Sequence, residues 1–359
     1  DTAYAQGEDE PDGVMAYDEA GLAALLDGVL LDIAAFELDA PGRGVEAAEA
    51  FMALMTTRGH DPATIRADIG LDPIGAVALG KAEAETAVDQ TVALLHKTIG
   101  TWPRLGLLHV DGEIYHAAGA SEAEELAATI ATGIDYLRAA DNAGLGPDEL
   151  APRMRFTIAA DADIFLTIAK CRAARRLWAE VTATCGLAEV PMRLELKTAS
   201  RMLTRRDPYV NMLRTTAACF AAAIGGAATV TVLPFDGAWG EGSRLGRRIA
   251  RNIHHILMEE SHLHRVIDPA GGSYYVETLS RELAAKAWPM VQGIEGEGGM
   301  LAALRQGMVQ DTIAHTYINR LSDLAHRRAS VTGVSTFPDL AEKPLHPDVD
   351  LPPELFEAA

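Results

Sequence analysis

The stretch RMRFTIAADADIFLTIAKCRAARRLWAEVTATCGLAEVPMRLEL, residues 153–196, decides the fold. Its two ends, 153–160 and 192–196, are short apolar runs of the kind that form buried strands. Between them, apolar side chains recur at helical spacing and stop before Gly186: Phe165, Ile168, Leu177, Trp178 and Val181. A strand, a helix and a second strand in this order predict neighbouring parallel strands with the helix covering the sheet.

The same alternation extends through the chain. Runs rich in apolar or β-branched residues predict strands at seven places: 29–38, 74–79, 105–110, 153–160, 192–196, 228–235 and 264–268. The helix predicted at 120–144 opens with a capping box formed by Ser121 and Glu124. We therefore expect an α/β fold, a (β/α)8 TIM-type barrel over residues 21–330. An open doubly wound sheet is the weaker alternative, since the sequence has neither GxGxxG nor GxxxxGK.

A closed barrel of this type needs eight strands, and the sequence predicts seven. We expect the first strand to lie upstream of Asp1. Residues 1–20 are predicted to form a polar tail or linker. The proline-rich residues at the other end, 331–359, are predicted to form an extended C-terminal tail.

Composition narrows the classes of function. Lys and Arg number 31 against 51 Asp and Glu, and the resulting net charge of −20 argues against nucleic acid or an anionic membrane as a partner. No apolar run approaches the ~20 residues that span a bilayer. The three cysteines are odd in number and form no CxxC pair, which favours a reducing, cytoplasmic setting: Cys171, Cys185 and Cys219.

Charged residues on two predicted strands face the same side. Side chains of a barrel strand alternate between the lumen and the helix layer. If Leu194 and Leu196 face the helices, three charges of that strand face the lumen: Arg193, Glu195 and Lys197. The preceding strand adds Arg155 and Asp161 to this predicted charge network. It is interpreted either as an acid–base pair beside an anion-binding cation or as ion pairs that plug the lumen.

A metal site is not expected. His255 and Glu259 lie four residues apart on a predicted helix, and His262 and His264 follow, but the HExxH signature is absent. The sequence GGSYY at 271–275 is interpreted as a tight turn rather than a phosphate-binding loop.

Longer segments carry a resemblance to one family. KCRAARRLW, RRDPYVNMLRTT, RRIARN with ILMEES, and RVIDPAGGSYYVE are similar in order and spacing to the barrel domain of adenosylcobalamin-dependent methylmalonyl-CoA mutases; they lie at 170–178, 205–216, 247–261 and 265–277. VTGVSTFP (331–338) resembles the segment that follows that barrel. The resemblance covers roughly residues 14–340 and implies a (β/α)8 barrel. It also implies isomerisation of methylmalonyl-CoA to succinyl-CoA, with adenosylcobalamin in the assembled enzyme.

The positions that carry the family's chemistry differ in this chain. Six of them hold other residues: Ala117, Asp161, Glu195, Lys197, Thr231 and Leu233. The first stands where the family has the arginine of HIREAG, and the second where it has the histidine of NAHND. The next two replace the histidine and glutamine of HCQTSG, and the last two replace the histidine and asparagine of HTNSFD. The cobalamin-ligating motif DxHxxG is absent from the sequence.

Through this resemblance, the substitutions favour the family's non-catalytic small subunit. Such a subunit pairs with a catalytic large subunit in a heterodimer and binds no cofactor by itself. One alternative is a divergent acyl-CoA mutase that works with a cobalamin-binding domain on another polypeptide, with Glu195 and Lys197 replacing the lost groups. Another is a barrel that binds a CoA ester or other anion without turnover. An ion-paired lumen favours the first hypothesis, and an open channel of CoA width favours the second.

Overall fold

Six strands form one sheet in the protein, whose structure is a computed structural model describing residues 16, 19–31, 33–40, 43–82, 84–187, 190–240 and 242–342. The strands within these residues are β1 (Phe36–Asp39), β2 (Ala67–Leu71), β3 (Leu105–Asp111), β4 (Met154–Ala160), β5 (Arg193–Thr198) and β6 (Thr229–Thr231). All neighbouring pairs are parallel, and their order in the sheet follows their order in the chain. The strands form half of a TIM-type barrel, as the alternation of strands and helices predicts.

Thirteen α-helices accompany the sheet in the same described residues. They are α1 (Glu19–Leu25), α2 (Gly44–Thr57), α3 (Pro73–Ala78), α4 (Ala84–Thr98), α5 (Glu113–Ala117), α6 (Glu122–Asn142), α7 (Pro147–Leu150), α8 (Ile164–Thr184), α9 (Val210–Ile224), α10 (Arg244–His255), α11 (Tyr274–Gly296), α12 (Met300–Arg305) and α13 (Met308–Ala325). Short 3₁₀ turns lie at Ala151–Arg153, Ser200–Met202, Gly237–Trp239 and Leu263–Arg265, and a π-helical turn, Ile256–Glu260, extends α10.

Two long helices have the termini that the sequence predicts. At α6 the Ser121 side chain accepts a hydrogen bond from the Glu124 amide, and the Glu124 carboxylate accepts one from the Ser121 amide at 2.7 Å. The predicted capping box is therefore confirmed. At α8 the Asp163 side chain caps the first turn, and Gly186 follows the helix with a φ of 75°, a conformation that costs glycine little.

The core lies between the sheet and the long helices. Every residue of β4 is buried, which is typical of a parallel strand covered on both faces. Phe156 of β4 packs against Trp178 of α8 with ring centroids 4.6 Å apart. A Cβ at Gly133 of α6 would lie 2.8 Å from the Trp178 ring, so this glycine lets α6 approach the pair closely.

One strand prediction falls on a helix. Residues 74–79 lie in and just after α3, where Pro73 takes the first helical position and the Asp72 carboxylate accepts from the Gly75 amide at 2.9 Å. The strand is instead β2, the preceding ADIGL. This strand does not show the usual alternation of apolar residues and solvent-exposed polar residues, because its polar residue, Asp68, faces an arginine in the lumen rather than solvent. The cap and the proline were the signals that 74–79 begins a helix.

A second strand prediction is also wrong, and two others are too long. The segment 264–268 forms a 3₁₀ turn and a bend, with Ile267 97% exposed, so its apolar residues do not enter the sheet. Of the described residues in 29–38, only those from Phe36 onward belong to a strand. Of 228–235 only Thr229–Thr231 does, since the chain then turns through Pro234. The described sheet consequently has six strands where seven were predicted.

The predicted tails lie largely outside the described residues, and the division at 20 and 330 remains a prediction. The described part of the second tail, 331–342, folds back on the strand-end loops. There the Glu342 carboxylate accepts a hydrogen bond from the Asp207 amide at 2.6 Å.

Candidate functional site

The lumen of the half-barrel contains a cavity of about 530 Å³. Its charged lining comes from the inward faces and carboxyl ends of five strands and from the loops that follow them. The ionisable groups are Glu37, Asp39, Asp72, Lys81, His109, Asp111, Glu113, Arg155, Glu195 and Lys197. Thr231 and Leu233 complete the wall beside β6. The cavity lies where barrel proteins carry their active sites.

Arg155 is the centre of the charges in the lumen. Its side chain is 3% exposed and donates to the Glu195 carboxylate at 2.8 Å. It also donates to Asp39, and Glu37 lies 3.8 Å away. Register explains the first contact, because Thr157 pairs with Glu195 across β4 and β5 and Arg155 lies two residues earlier on the same face. One buried cation thus holds three carboxylates from two other strands, β1 and β5.

The other predicted members of the network divide between different partners. Arg193 forms a two-pronged ion pair with Asp68 of β2, at 2.9 and 2.7 Å. Lys197 lies 3.9 Å from the Glu113 carboxylate and is 36% exposed. The structure therefore places both cations on the lumen side, and their partners lie on β2 and at the first residue of α5.

The pKa values of several lumen groups are shifted in the direction that favours the neutral form. Burial, and then the charge of Glu195, raise the pKa of Glu37 to about 7. Burial and the neighbouring Glu113 raise the pKa of Asp111 to about 8. Burial and the charge of Arg155 lower the pKa of His109 to about 3, so its imidazole is neutral at pH 7. The two carboxyl groups resist ionisation because they are buried beside other carboxyl groups, and the imidazole resists it because it is buried beside a cation.

Asp161 belongs to a separate cluster that sequence reasoning missed. Its carboxylate lies 3.4 Å from His116 Nε2 and 3.6 Å from Arg201. The other ring nitrogen of His116 lies 3.1 Å from Glu125, which also accepts from Lys170 at 2.6 Å. Burial opposes ionisation of Glu125, but Lys170 and His116 lower its pKa to about 2. The sequence signal for this cluster is a charged residue among the buried apolar residues of a helix, Glu125 in α6 and Lys170 in α8.

The remaining positions singled out by the family resemblance bear no ionisable group. Ala117 lies exposed at the end of α5. Thr231 ends β6 with an exposed side chain, and Leu233 follows, its amide donating to the Thr198 hydroxyl at 2.8 Å. Of these three positions, Thr231 and Leu233 line the cavity and offer it one hydroxyl group and aliphatic surface.

In the ranges that the structure describes, no three His, Cys, Asp or Glu side chains form a group that could hold a metal ion. The histidines considered above do not converge: His262 and His264 stack edge to face with ring centroids 6.2 Å apart. None of the helices in the described ranges combines the length and apolar character needed to cross a membrane.

The fold and the site together define the class as a parallel α/β barrel domain with a charged cavity at the carboxyl ends of its strands. The family described as methylmalonyl-CoA mutase matches residues 1–352, and the chain belongs to that family.

Relatives in the family include chains named as small subunits. The methylmalonyl-CoA mutase small subunit of Streptomyces virginiae is 49% identical over 331 residues, which cover 90% of this chain and 53% of that protein. The small subunit of Propionibacterium freudenreichii subsp. shermanii is 38% identical over 321 residues, covering 88% and 50%. The methylmalonyl-CoA mutase of Escherichia coli (strain K12) is 35% identical over 241 residues, covering 66% and 34%. The chain thus spans about half the length of the small subunits it matches.

Proposed function

We propose that this chain is the barrel part of a small, non-catalytic subunit that supports the catalytic large subunit of a heterodimeric, adenosylcobalamin-dependent methylmalonyl-CoA mutase. The names of its relatives support the assignment to the small subunit. Support for a non-catalytic role comes from the lumen, where the residues implied by the resemblance to hold and convert an acyl-CoA are replaced.

The charge of the cavity is the observation that carries this proposal. Six carboxyl groups line it against three cations, Lys81, Arg155 and Lys197. Even with Glu37 and Asp111 fully protonated, four carboxyl groups remain against the three cations. CoA esters carry several phosphate charges, and their binding needs a surplus of positive charge or of N–H donors. This lumen has no such surplus.

The lumen also does not fit adenosylcobalamin as a resident group of this chain. A cobalamin-binding histidine needs a free ring nitrogen for the metal. His109, the histidine in the cavity lining, has Nε2 2.8 Å from the Thr157 hydroxyl and Nδ1 3.5 Å from Asp39. We therefore propose that the cofactor of the assembled enzyme is bound by the large subunit.

Activity and assembly measurements test the proposal. The chain is mixed with adenosylcobalamin and methylmalonyl-CoA, and succinyl-CoA is measured together with the cobalamin absorption spectrum. We expect no product and no spectral change from the chain alone, and co-elution with the large subunit on size-exclusion chromatography. Turnover by the chain alone, or failure to form a complex with the large subunit, would refute the supporting role.

One observation favours a second candidate, a divergent acyl-CoA mutase whose cobalamin domain lies on another polypeptide. The ion pairs do not fill the lumen, and Lys197 remains 36% exposed beside the cavity of about 530 Å³. If this candidate is correct, methylmalonyl-CoA or another acyl-CoA binds the isolated chain and Lys197→Ala weakens the binding. Lys97→Ala is the matched control, since Lys97 is 71% exposed and outside the cavity. Equal binding of both variants would exclude a lumen site.

We also propose a cytoplasmic location. The three cysteines are free thiols, two of them buried, which is the usual state in a reducing compartment. Labelling of Cys185, the exposed one, by a thiol reagent in freshly lysed cells tests this location, and a blocked Cys185 thiol would contradict it.

A further inference from the structure

A second cavity, of about 470 Å³, lies on the outside of the barrel between α8, the end of α9 and the start of α11. Its lining differs in charge from that of the lumen, because four of its residues are arginines: Arg172, Arg175, Arg176 and Arg281. Two acids also line it, Asp268 and Glu277. Such a concentration of guanidinium groups is unexpected on a chain whose net charge is −20.

The two acids pair with only one of the four arginines. Arg172 donates to Asp268 at 2.5 Å and to Glu277 at 2.6 Å, and so it uses both carboxylates. Arg175 donates to the backbone carbonyls of Gly225 and Gly226, which end α9 and carry no full charge. The ion pairs of this cavity therefore leave it with positive charge.

The other two arginines have donors available to a ligand. Among the residues that the structure describes, Arg281 bonds only within its own helix, to the Glu277 carbonyl at 3.2 Å and the Thr278 hydroxyl at 3.3 Å. Arg176 is exposed, and among the described residues it makes no hydrogen bond or ion pair. Guanidinium groups present paired N–H donors that match the oxygens of a phosphate group.

The wall of the same cavity also has an apolar part. Ile267 is 97% exposed in the bend after the 3₁₀ turn, and Ile224 lines the cavity from the end of α9. An isoleucine so fully exposed at the mouth of a cationic cavity offers contact surface to the uncharged part of a ligand.

We propose that this outer cavity binds a phosphorylated small molecule, with phosphate oxygens at Arg176 and Arg281 and an apolar or aromatic part against Ile267. The site is separate from the lumen and does not depend on the function proposed above. Its ligand needs at least two negative charges to pair with both arginines. The attraction of these two cations offsets the repulsion between an anionic ligand and the net negative charge of the chain.

Calorimetric titration of the chain tests this site, with pyrophosphate as the charged probe and ADP as the probe that adds an aromatic base. We expect ADP to bind more tightly than pyrophosphate, and Arg176→Ala and Arg281→Ala each to weaken both at least tenfold. Ile267→Ser should weaken ADP and leave pyrophosphate within twofold. Arg251→Ala, an exposed arginine on α10 outside the cavity, is the matched control and should leave both affinities within twofold.

Thermal unfolding of each variant shows whether the fold is kept, which the exposure of these side chains favours. Absence of binding by the unmodified chain would overturn the proposal. Equal loss in Arg176→Ala and Arg251→Ala would also overturn it, because the attraction would then come from general surface charge. ADP binding no tighter than pyrophosphate, or unaffected by Ile267→Ser, would overturn the assigned ligand class.

Discussion

Replacing Arg155 with methionine should lower the free energy of unfolding by about 3–5 kcal/mol. The arginine side chain is 3% exposed, so its charge is almost fully removed from water. It is held by Glu195 at 2.8 Å, by Asp39, and by Glu37 at 3.8 Å. Methionine fills much of the same volume but leaves these carboxylates close together without a cation. The large cost comes from this uncompensated negative charge.

Removing the other member of the pair should cost less. Glu195→Gln leaves Arg155 with Asp39 and Glu37 as partners, so the expected loss is about 1–2 kcal/mol, in the range of one charged hydrogen bond. After burial itself, the charge of Glu195 is the main reason that the pKa of Glu37 is raised to about 7. Without that charge the pKa of Glu37 falls, and Glu37 ionises more fully beside Arg155. Glu195→Gln should therefore lower the free energy of unfolding less than Arg155→Met, because Glu37 takes the place of Glu195 as a charged partner of the arginine.

Urea unfolding followed by circular dichroism at pH 7 measures both losses. Arg328→Met is the control, because Arg328 pairs with Asp323 at 2.7 Å but the two side chains are 58% and 49% exposed. That variant should lose less than about 1 kcal/mol. Equal losses for Arg155→Met and Glu195→Gln, or a larger loss for the second, would show that Glu37 and Asp39 do not support the arginine.

Asp111→Asn should become more stable relative to the unmodified chain as pH rises from 4 to 8. Burial and Glu113 raise the pKa of Asp111 to about 8, so the folded chain retains a proton that the unfolded chain releases. Glu125→Gln should show the opposite trend: Lys170 lowers the pKa of Glu125 to about 2 against the effect of burial, and this stabilisation is present above pH 4.5 and lost as pH falls towards 2. Thermal melts across pH 2–8 measure both trends. Gly133→Ala should lose about 1–3 kcal/mol in urea, because the new methyl group lies 2.8 Å from the Trp178 ring.

A specific experimental result would contradict each of these three predictions. Parallel pH profiles for Asp111→Asn and the unmodified chain would mean that water reaches that carboxyl freely. A Glu125→Gln profile as steep in acid as the unmodified one would place the acid sensitivity elsewhere. Gly100→Ala adds the same methyl group with nothing within 4 Å, and should change stability by less than about 1 kcal/mol. A similar small effect at Gly133 would show that α6 can move away from the aromatic pair.

Local signals predicted the central part of the fold well. The capping box of α6 and the glycine after α8 lie within a few residues of the elements they punctuate, so the sequence identifies them directly. Local signals failed at β2, where the pairing partner of a strand residue lies far away in the sequence. ADIGL was missed as a strand because its aspartate, Asp68, is paired with Arg193, which lies 125 residues further along the chain.

By itself, the sequence determined the alternation of strands and helices, the side of β5 on which Arg193, Glu195 and Lys197 lie, and the family. These properties depend on short-range periodicity and on motifs of contiguous residues. The tertiary structure decided which charges meet. Arg155 contacts Asp39, 116 residues away, because the curvature of the sheet brings the first and fourth strands towards one another across the lumen. Periodicity gives the face of each strand, but only the curvature of the sheet sets the distance between side chains on different strands.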